Sequence, residues 1–152
     1  MRLTRRFIIK SIDNIKLTRL IKYERYYIND NLRIQRKNNV FEKEILNEEN
    51  IIVEKVEILE NEFNKLKEIA YSKIIRNSYL YLDDTRVSVK KYLGKYKGLI
   101  RVEVKLNSIE EMNNYTKESW MGMEITNSPL AFDKDLSKLT EQEFLLELNK
   151  YI

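Results

Sequence analysis

Leu99-Ile100-Arg101-Val102-Glu103-Val104-Lys105-Leu106 is the stretch whose reading decides the architecture of this chain. Ile100, Val102, Val104 and Leu106 take alternate positions, and Arg101, Glu103 and Lys105 fill those between. A period of two predicts a strand with one apolar and one charged face. The pattern recurs elsewhere. Around Val87 to Tyr92, Arg86, Ser88 and Lys90 share a face opposite Val87, Val89 and Lys91. At the N-terminus Arg2, Thr4 and Arg6 lie opposite Leu3, Arg5 and Phe7, and near residue 34 the polar face is Arg33 and Gln35. Two architectures accommodate such strands. One is a sheet with one face on the core and the other in water. The other is a closed or strongly curved sheet whose inner face is charged and binds an anion.

Further strands are expected over Leu3 to Lys10, Tyr26 to Ile28, Leu32 to Gln35 and Tyr79 to Leu82, with a short Asn-Asp turn between the second and third. A hairpin is expected over Phe41 to Ile45 and Ile51 to Ile58, with Glu48-Glu49-Asn50 in its turn. Phe63, Leu66, Ala70 and Ile74 recur at helical spacing after Asn61, which predicts a helix capped by that residue. Ser108-Ile109-Glu110-Glu111 and Thr140-Glu141-Gln142-Glu143 are capping-box patterns that start two more helices. The expectation is an α+β fold of about eight mostly antiparallel strands and three helices. Three glycines and one proline leave no stretch that reads as a linker, so residues 1–152 are expected to form one domain.

Cysteine and histidine are absent from the 152 residues. That excludes disulfides, thiol and imidazole nucleophiles and Cys/His metal sites. No long apolar run or secretory signal is visible in a chain that is 34% charged, so a cytoplasmic protein is expected. The net charge of +4 is unevenly spread: residues 1–40 carry +8, 41–70 carry −5, 71–105 carry +6 and 106–152 carry −5. The basic blocks coincide with the strands. The acidic ones hold mainly the helices and the hairpin.

Three further segments give the C-terminal half a specific look. Tyr92-Leu93-Gly94 precedes Gly98-Leu99-Ile100-Arg101-Val102-Glu103-Val104-Lys105, and Ser119-Trp120-Met121-Gly122-Met123-Glu124-Ile125-Thr126 follows it. Their spacing resembles the CYTH family, the triphosphate tunnel group of class IV adenylate cyclases, thiamine triphosphatases and inorganic tripolyphosphatases. That family shows a Y/F-x-G turn, a G-L-x-x-x-E-V-E strand and a W-x-G-x-E-V-T segment. Phe132-Asp133-Lys134-Asp135-Leu136 stands where the family has an aromatic-Asn-x-x-Leu motif, with Asp133 in place of Asn. Arg2 to Phe7 falls where it writes E-x-E-x-K-F, and Arg25-Tyr26-Tyr27-Ile28 and Leu32-Arg33-Ile34-Gln35 resemble Q-x-Y-L and V-R-I-R.

The resemblance implies an eight-stranded antiparallel β-barrel or tunnel with flanking helices, with alternate residues pointing inward. It also implies Mg²⁺ or Mn²⁺ held by inward carboxylates and a triphosphate gripped by inward Lys and Arg. The departures concentrate on the carboxylates. Arg2 and Thr4 replace both glutamates of the first strand, Lys90 an aspartate and Lys105 the second glutamate of E-V-E. Only Glu103 and Glu124 remain as metal ligands, whereas cations persist at Arg6, Arg33 and Arg76. The resulting expectation is a cationic cavity formed by Arg2, Arg6, Arg33, Arg76, Lys90, Arg101 and Lys105. It would bind a phosphate-rich anion, a nucleotide or polyphosphate, with no cofactor and without metal-dependent catalysis, as a pseudoenzyme. One alternative is an active triphosphatase or cyclase with a rearranged metal site. In another the inner cations are merely paired or solvated. A third is a macromolecule-binding module, with the basic and tyrosine-rich run from Arg19 to Lys37 tracking nucleic acid on the outside.

Overall fold

The computed structural model describes residues 3–152. Eight strands form one sheet: β1 (Thr4–Ile8), β2 (Leu17–Tyr27), β3 (Leu32–Lys37), β4 (Val40–Leu46), β5 (Ile52–Glu57), β6 (Ser72–Tyr81), β7 (Asp84–Leu93) and β8 (Ile100–Lys105). Their spatial order is β1-β8-β7-β6-β2-β3-β4-β5, and every neighbouring pair is antiparallel. The helices are α1 (Glu60–Lys67), α2 (Ile109–Asn114), α3 (Asp133–Ser137) and α4 (Glu141–Leu148). This is the expected α+β arrangement. The expected barrel is corrected in one respect: the ladder does not close, and among the described residues β1 and β5 are its two ends.

The turns follow from local chemistry. Asn29 Oδ1 accepts from the backbone N–H groups of Asn31 and Leu32, which reverses the chain between β2 and β3. Between β6 and β7, Leu82 and Asp83 both have positive φ, the backbone a two-residue hairpin needs to match strand twist. Both capping-box patterns start helices, but only one forms the full box. Thr140 and Glu143 exchange reciprocal bonds at the start of α4, whereas Ser108 Oγ accepts from Glu111 N at 3.1 Å and the Glu111 carboxylate accepts from Asn107 N.

Three sequence expectations are corrected. The helix from Asn61 was extended to Ile74, but α1 ends at Lys67 and starts on Leu59, which makes no side-chain cap. Ile74 instead lies in β6, fully buried and opposite Arg25, where β-branched residues fit the pleat better than a helix. β2 and β6 are each longer than expected, since their polar stretches are paired on both sides by other strands. The single-turn α3 was not anticipated, being too short to show a period.

The alternation read at Ile100 to Lys105 sets the packing. Phe7, Val89, Val102 and Val104 point to the convex side, against Met121, Trp120 and Tyr115. Tyr26, Ile34 and Phe41 do the same under Phe63 and Leu66 of α1. On the concave side Ile8, Tyr27, Leu46, Ile74 and Tyr92 form an apolar layer at one end. Leu130, Leu136, Phe144 and Leu148 close that end. The remaining concave positions are mainly charged or polar.

The Trp120–Thr126 segment runs along the free edge of β1. Gly122 N donates to Ile8 O at 2.8 Å, Ile8 N to Met123 O at 2.9 Å and Ile125 N to Arg6 O at 2.8 Å. A Cβ on Gly122 would stand 2.5 Å from Ile8 O, so only glycine permits this approach.

Candidate functional site

The concave face encloses a cavity of about 410 Å³, lined by residues of all eight strands or their turns and by α3. Nine cationic side chains and two carboxylates are among its lining residues. Register explains why they converge. Arg6 stands opposite Glu103, Glu103 opposite Ser88, Lys90 opposite Arg101 and also opposite Ser78, and Tyr23 opposite Arg76. Directly opposite residues on antiparallel strands share a face, so the cations of β1, β2, β3, β6, β7 and β8 line one surface.

Asp133 is the hub. Its Oδ2 accepts from Arg25 Nη1 at 2.8 Å and Arg76 Nε at 2.9 Å. Its Oδ1 accepts from Arg101 Nη2 at 3.0 Å and from the Tyr92 hydroxyl. Burial alone would raise this carboxyl, but Arg76, Arg25 and Arg101 hold it well below the usual carboxylate range. Leu136, fully buried in the core, anchors the helix that carries it.

Glu103 is the second node. Lys90 Nζ lies 2.6 Å from Oε2, and Arg6 Nη2 lies 3.5 Å from the same oxygen. Burial is opposed by these cations and by Arg101, so Glu103 is also held well below its ordinary value. Lys90 moves the other way. Burial and the nearby Arg76 and Arg101 pull it down to about 7, against the opposing effect of Glu103. Arg6 also bonds Thr4 Oγ1 at 2.6 Å and lies over the Phe132 ring at 4.1 Å. A third pair joins Arg33 Nε to the fully buried Glu44 at 2.7 Å, with Lys55 adding a contact at 3.2 Å from the rim.

The structure brings together Arg6, Arg33, Arg76, Lys90 and Arg101, five of the seven cations singled out from the sequence. Lys105 lines the same cavity but is exposed at its rim. Arg2 lies outside the described residues. The sequence reading paired Glu103 with its strand neighbours Arg101 and Lys105; its direct partners are Lys90 and Arg6, one strand away on either side. Arg25, Glu44 and Asp133 were missed as site residues. Asp133 is carried in by the single-turn α3, and only its place in the aromatic-x-x-x-Leu motif marked it.

Glu124, the other surviving family glutamate, is not in the cavity. It takes a bidentate contact from Arg5 at 2.6 and 3.0 Å on the outer side of β1 and accepts from Thr126 Oγ1. The two carboxylates that remained as metal ligands are therefore separated. Glu103 and Asp133 are each turned onto cations, and no cluster of three acidic side chains able to hold a metal exists among the described residues. This donor set does not fit a hard divalent cation, which needs several free oxygens at once. The run from Arg19 to Lys37 is likewise divided. Arg19, Arg25 and Arg33 line the cavity, whereas Tyr26 packs against α1, so no continuous external stripe forms.

No protein-family model and no curated protein matches the sequence. Solved structures do match the fold. Two structures of NE1496, one described as a hypothetical protein and the other as an inorganic triphosphatase, superpose with TM-scores of 0.74 and 0.72. They cover 92% and 91% of this chain and 99% of theirs, at 16% identity. The chain shares its fold with an inorganic triphosphatase. Among the described residues no helix is long and apolar enough to cross a membrane.

Proposed function

We propose that the concave cavity binds a phosphate-rich anion, a nucleotide or polyphosphate, and that the protein's own cations take the neutralising role of a divalent metal. One observation carries the reading. Arg6, Arg25, Arg33, Arg76, Lys90 and Arg101 converge on a largely buried space whose counter-charges, among the described residues, are Glu42, Glu44, Glu103 and Asp133. Positive charge is in excess. Charges in a space of low polarity are costly unless compensated, and two unit charges 4 Å apart interact by about 4 kcal/mol at an effective dielectric of about 20. Burial lowers both Lys90 and Arg25, and neighbouring arginines add to the shift of each. A multiply charged anion offsets it, and guanidinium forks suit phosphate oxygens. The fold shared with a triphosphatase and the resemblance of the strand motifs to the triphosphate tunnel group support the same ligand class. The carboxylate arrangement supports binding without metal-dependent turnover and a pseudoenzyme reading.

The test is calorimetric titration with tripolyphosphate and ATP in a chelator, with phosphate release followed in parallel after adding Mg²⁺ or Mn²⁺. Expected are metal-independent binding that weakens with salt, loss of affinity in Arg33→Ala and no turnover. Absence of binding at low salt refutes the anion site. Turnover abolished by Glu103→Gln refutes the non-catalytic half.

A further inference from the structure

The two ends of the open sheet are not alike. The edge of β1 is covered by the Trp120–Thr126 segment, which bonds to Arg6 and Ile8. β5 pairs with β4 alone, and all six of its residues are exposed. Ile58 N donates to Phe41 O at 2.9 Å, so the backbone groups of Ile58, Val56 and Glu54 point toward β4. Strand alternation turns those of Lys55 and Glu57 outward, where no strand meets them among the described residues. An open edge of this kind is a template for another strand. We infer that β5 pairs antiparallel with β5 of a second copy of this chain, with Val56 on the two-fold axis.

Symmetry and charge select this register. A two-fold axis perpendicular to the sheet places one residue opposite its own copy, and the pairs on either side are then fixed. Centring on Glu54, Lys55 or Glu57 sets a charge against its own kind. Centring on Val53 puts Lys55 against Ile51 and Glu54 against Ile52, so no charge finds a partner. Centring on Val56 sets Lys55 against Glu57 of the second copy, and Glu57 against its Lys55. The same register sets Val53 against Leu59 and Val56 against Val56. Val53 is 60% exposed and Leu59 73%, so pairing removes apolar surface that the monomer leaves bare. Within its own sheet Glu57 lies opposite another carboxylate, Glu42, and the lysine of the second copy brings a cation to its other side. Lys55 lies 3.2 Å from Glu44 yet stays 43% exposed, which leaves its ammonium open to that contact. About seven residues a side is well short of the roughly 20–30 of a standard interface, so the dimer is reversible, with Kd about 1–100 µM. The inference is independent of what the cavity binds.

Sedimentation velocity from about 1 to 500 µM tests it, with circular dichroism checking the fold of each variant. Wild type is expected to pass from monomer to dimer across this range. Glu57→Lys and Lys55→Glu each set like charges opposite one another twice, and each is expected to raise Kd about tenfold or more. An equimolar mixture of the two variants restores both opposite-charge pairs and is expected to dimerise as wild type does. Val56→Glu places two carboxylates on the axis and is expected to abolish the dimer; it serves in place of a charge variant that does not fold. Wild type that stays monomeric at the highest concentration overturns the inference. So does a dimer unchanged by Glu57→Lys and Val56→Glu, or a mixture that stays monomeric where wild type pairs.

Discussion

Replacing Asp133 by Asn keeps its shape and removes its charge, and the structure sets the consequence. Asp133 is 5% exposed and accepts from three guanidinium groups and one phenol. Charge-assisted hydrogen bonds contribute about 1.5–3 kcal/mol each, but these share two oxygens and do not add. Removing one partner of a buried ion pair costs about 3–5 kcal/mol, and here the loss leaves Arg25, Arg76 and Arg101 facing one another. A loss of about 3–5 kcal/mol is therefore expected, a large share of the roughly 5–15 kcal/mol that holds a domain together. Urea unfolding followed by circular dichroism would show a lower midpoint at unchanged slope, and the melting temperature would fall by about 6–20 °C. The effect has a pH signature. The carboxyl is lowered in the folded state, so its contribution is fully present above the unfolded value of about 3.9 and fades as pH falls toward the lower folded value. The gap between wild type and Asp133→Asn should be constant from about pH 5 upward and close below about pH 4. A loss under about 1 kcal/mol at pH 7, or a gap that does not narrow in acid, would refute the idea that Asp133 organises the cavity.

Gly122→Ala should cost about 1–3 kcal/mol in chemical denaturation, because its Cβ would meet Ile8 O and separate the Trp120–Thr126 segment from β1; a neutral result would mean the segment shifts freely. Thr140→Ala removes half of the capping box of α4 and should cost about 1 kcal/mol, readable as a midpoint shift against wild type. Lys90 is lowered in the folded state, so the unfolded chain binds the extra proton between about pH 7 and 10 and stability should climb across that range. Lys90→Arg should flatten this climb, and an equal slope in both proteins would contradict a buried, cation-crowded amine.

The fold was legible because alternation is a covalent property of strands. Arg101 and Glu103 must share a face opposite Val102 and Val104 in any strand, and the structure places them so. The helix misread between Phe63 and Ile74 shows the limit. Three apolar residues at helical spacing carried the pattern past Ala70, but Tyr71 N bonds Tyr27 O and turns the chain into β6. Cross-strand pairing outweighed a local period there. The site was legible in part for the same reason. Arg6, Arg33, Arg76, Lys90 and Arg101 sit on alternating positions, whereas Glu44 and Asp133 reveal their role only through partners far along the chain.

By itself, then, the sequence determined about eight strands, the charged face of several of them, the helix starts at Ser108 and Thr140 and the absence of thiol and imidazole chemistry. Those follow from backbone geometry and residue type. Tertiary structure alone decided that the charged faces turn inward, that the sheet stays open between β1 and β5, and that Glu124 leaves the cavity while Asp133 enters it. Side-chain alternation gives each strand two faces but no preference for which becomes concave. That choice depends on sheet curvature and on where α3 and α4 pack, and both arise from contacts between distant residues.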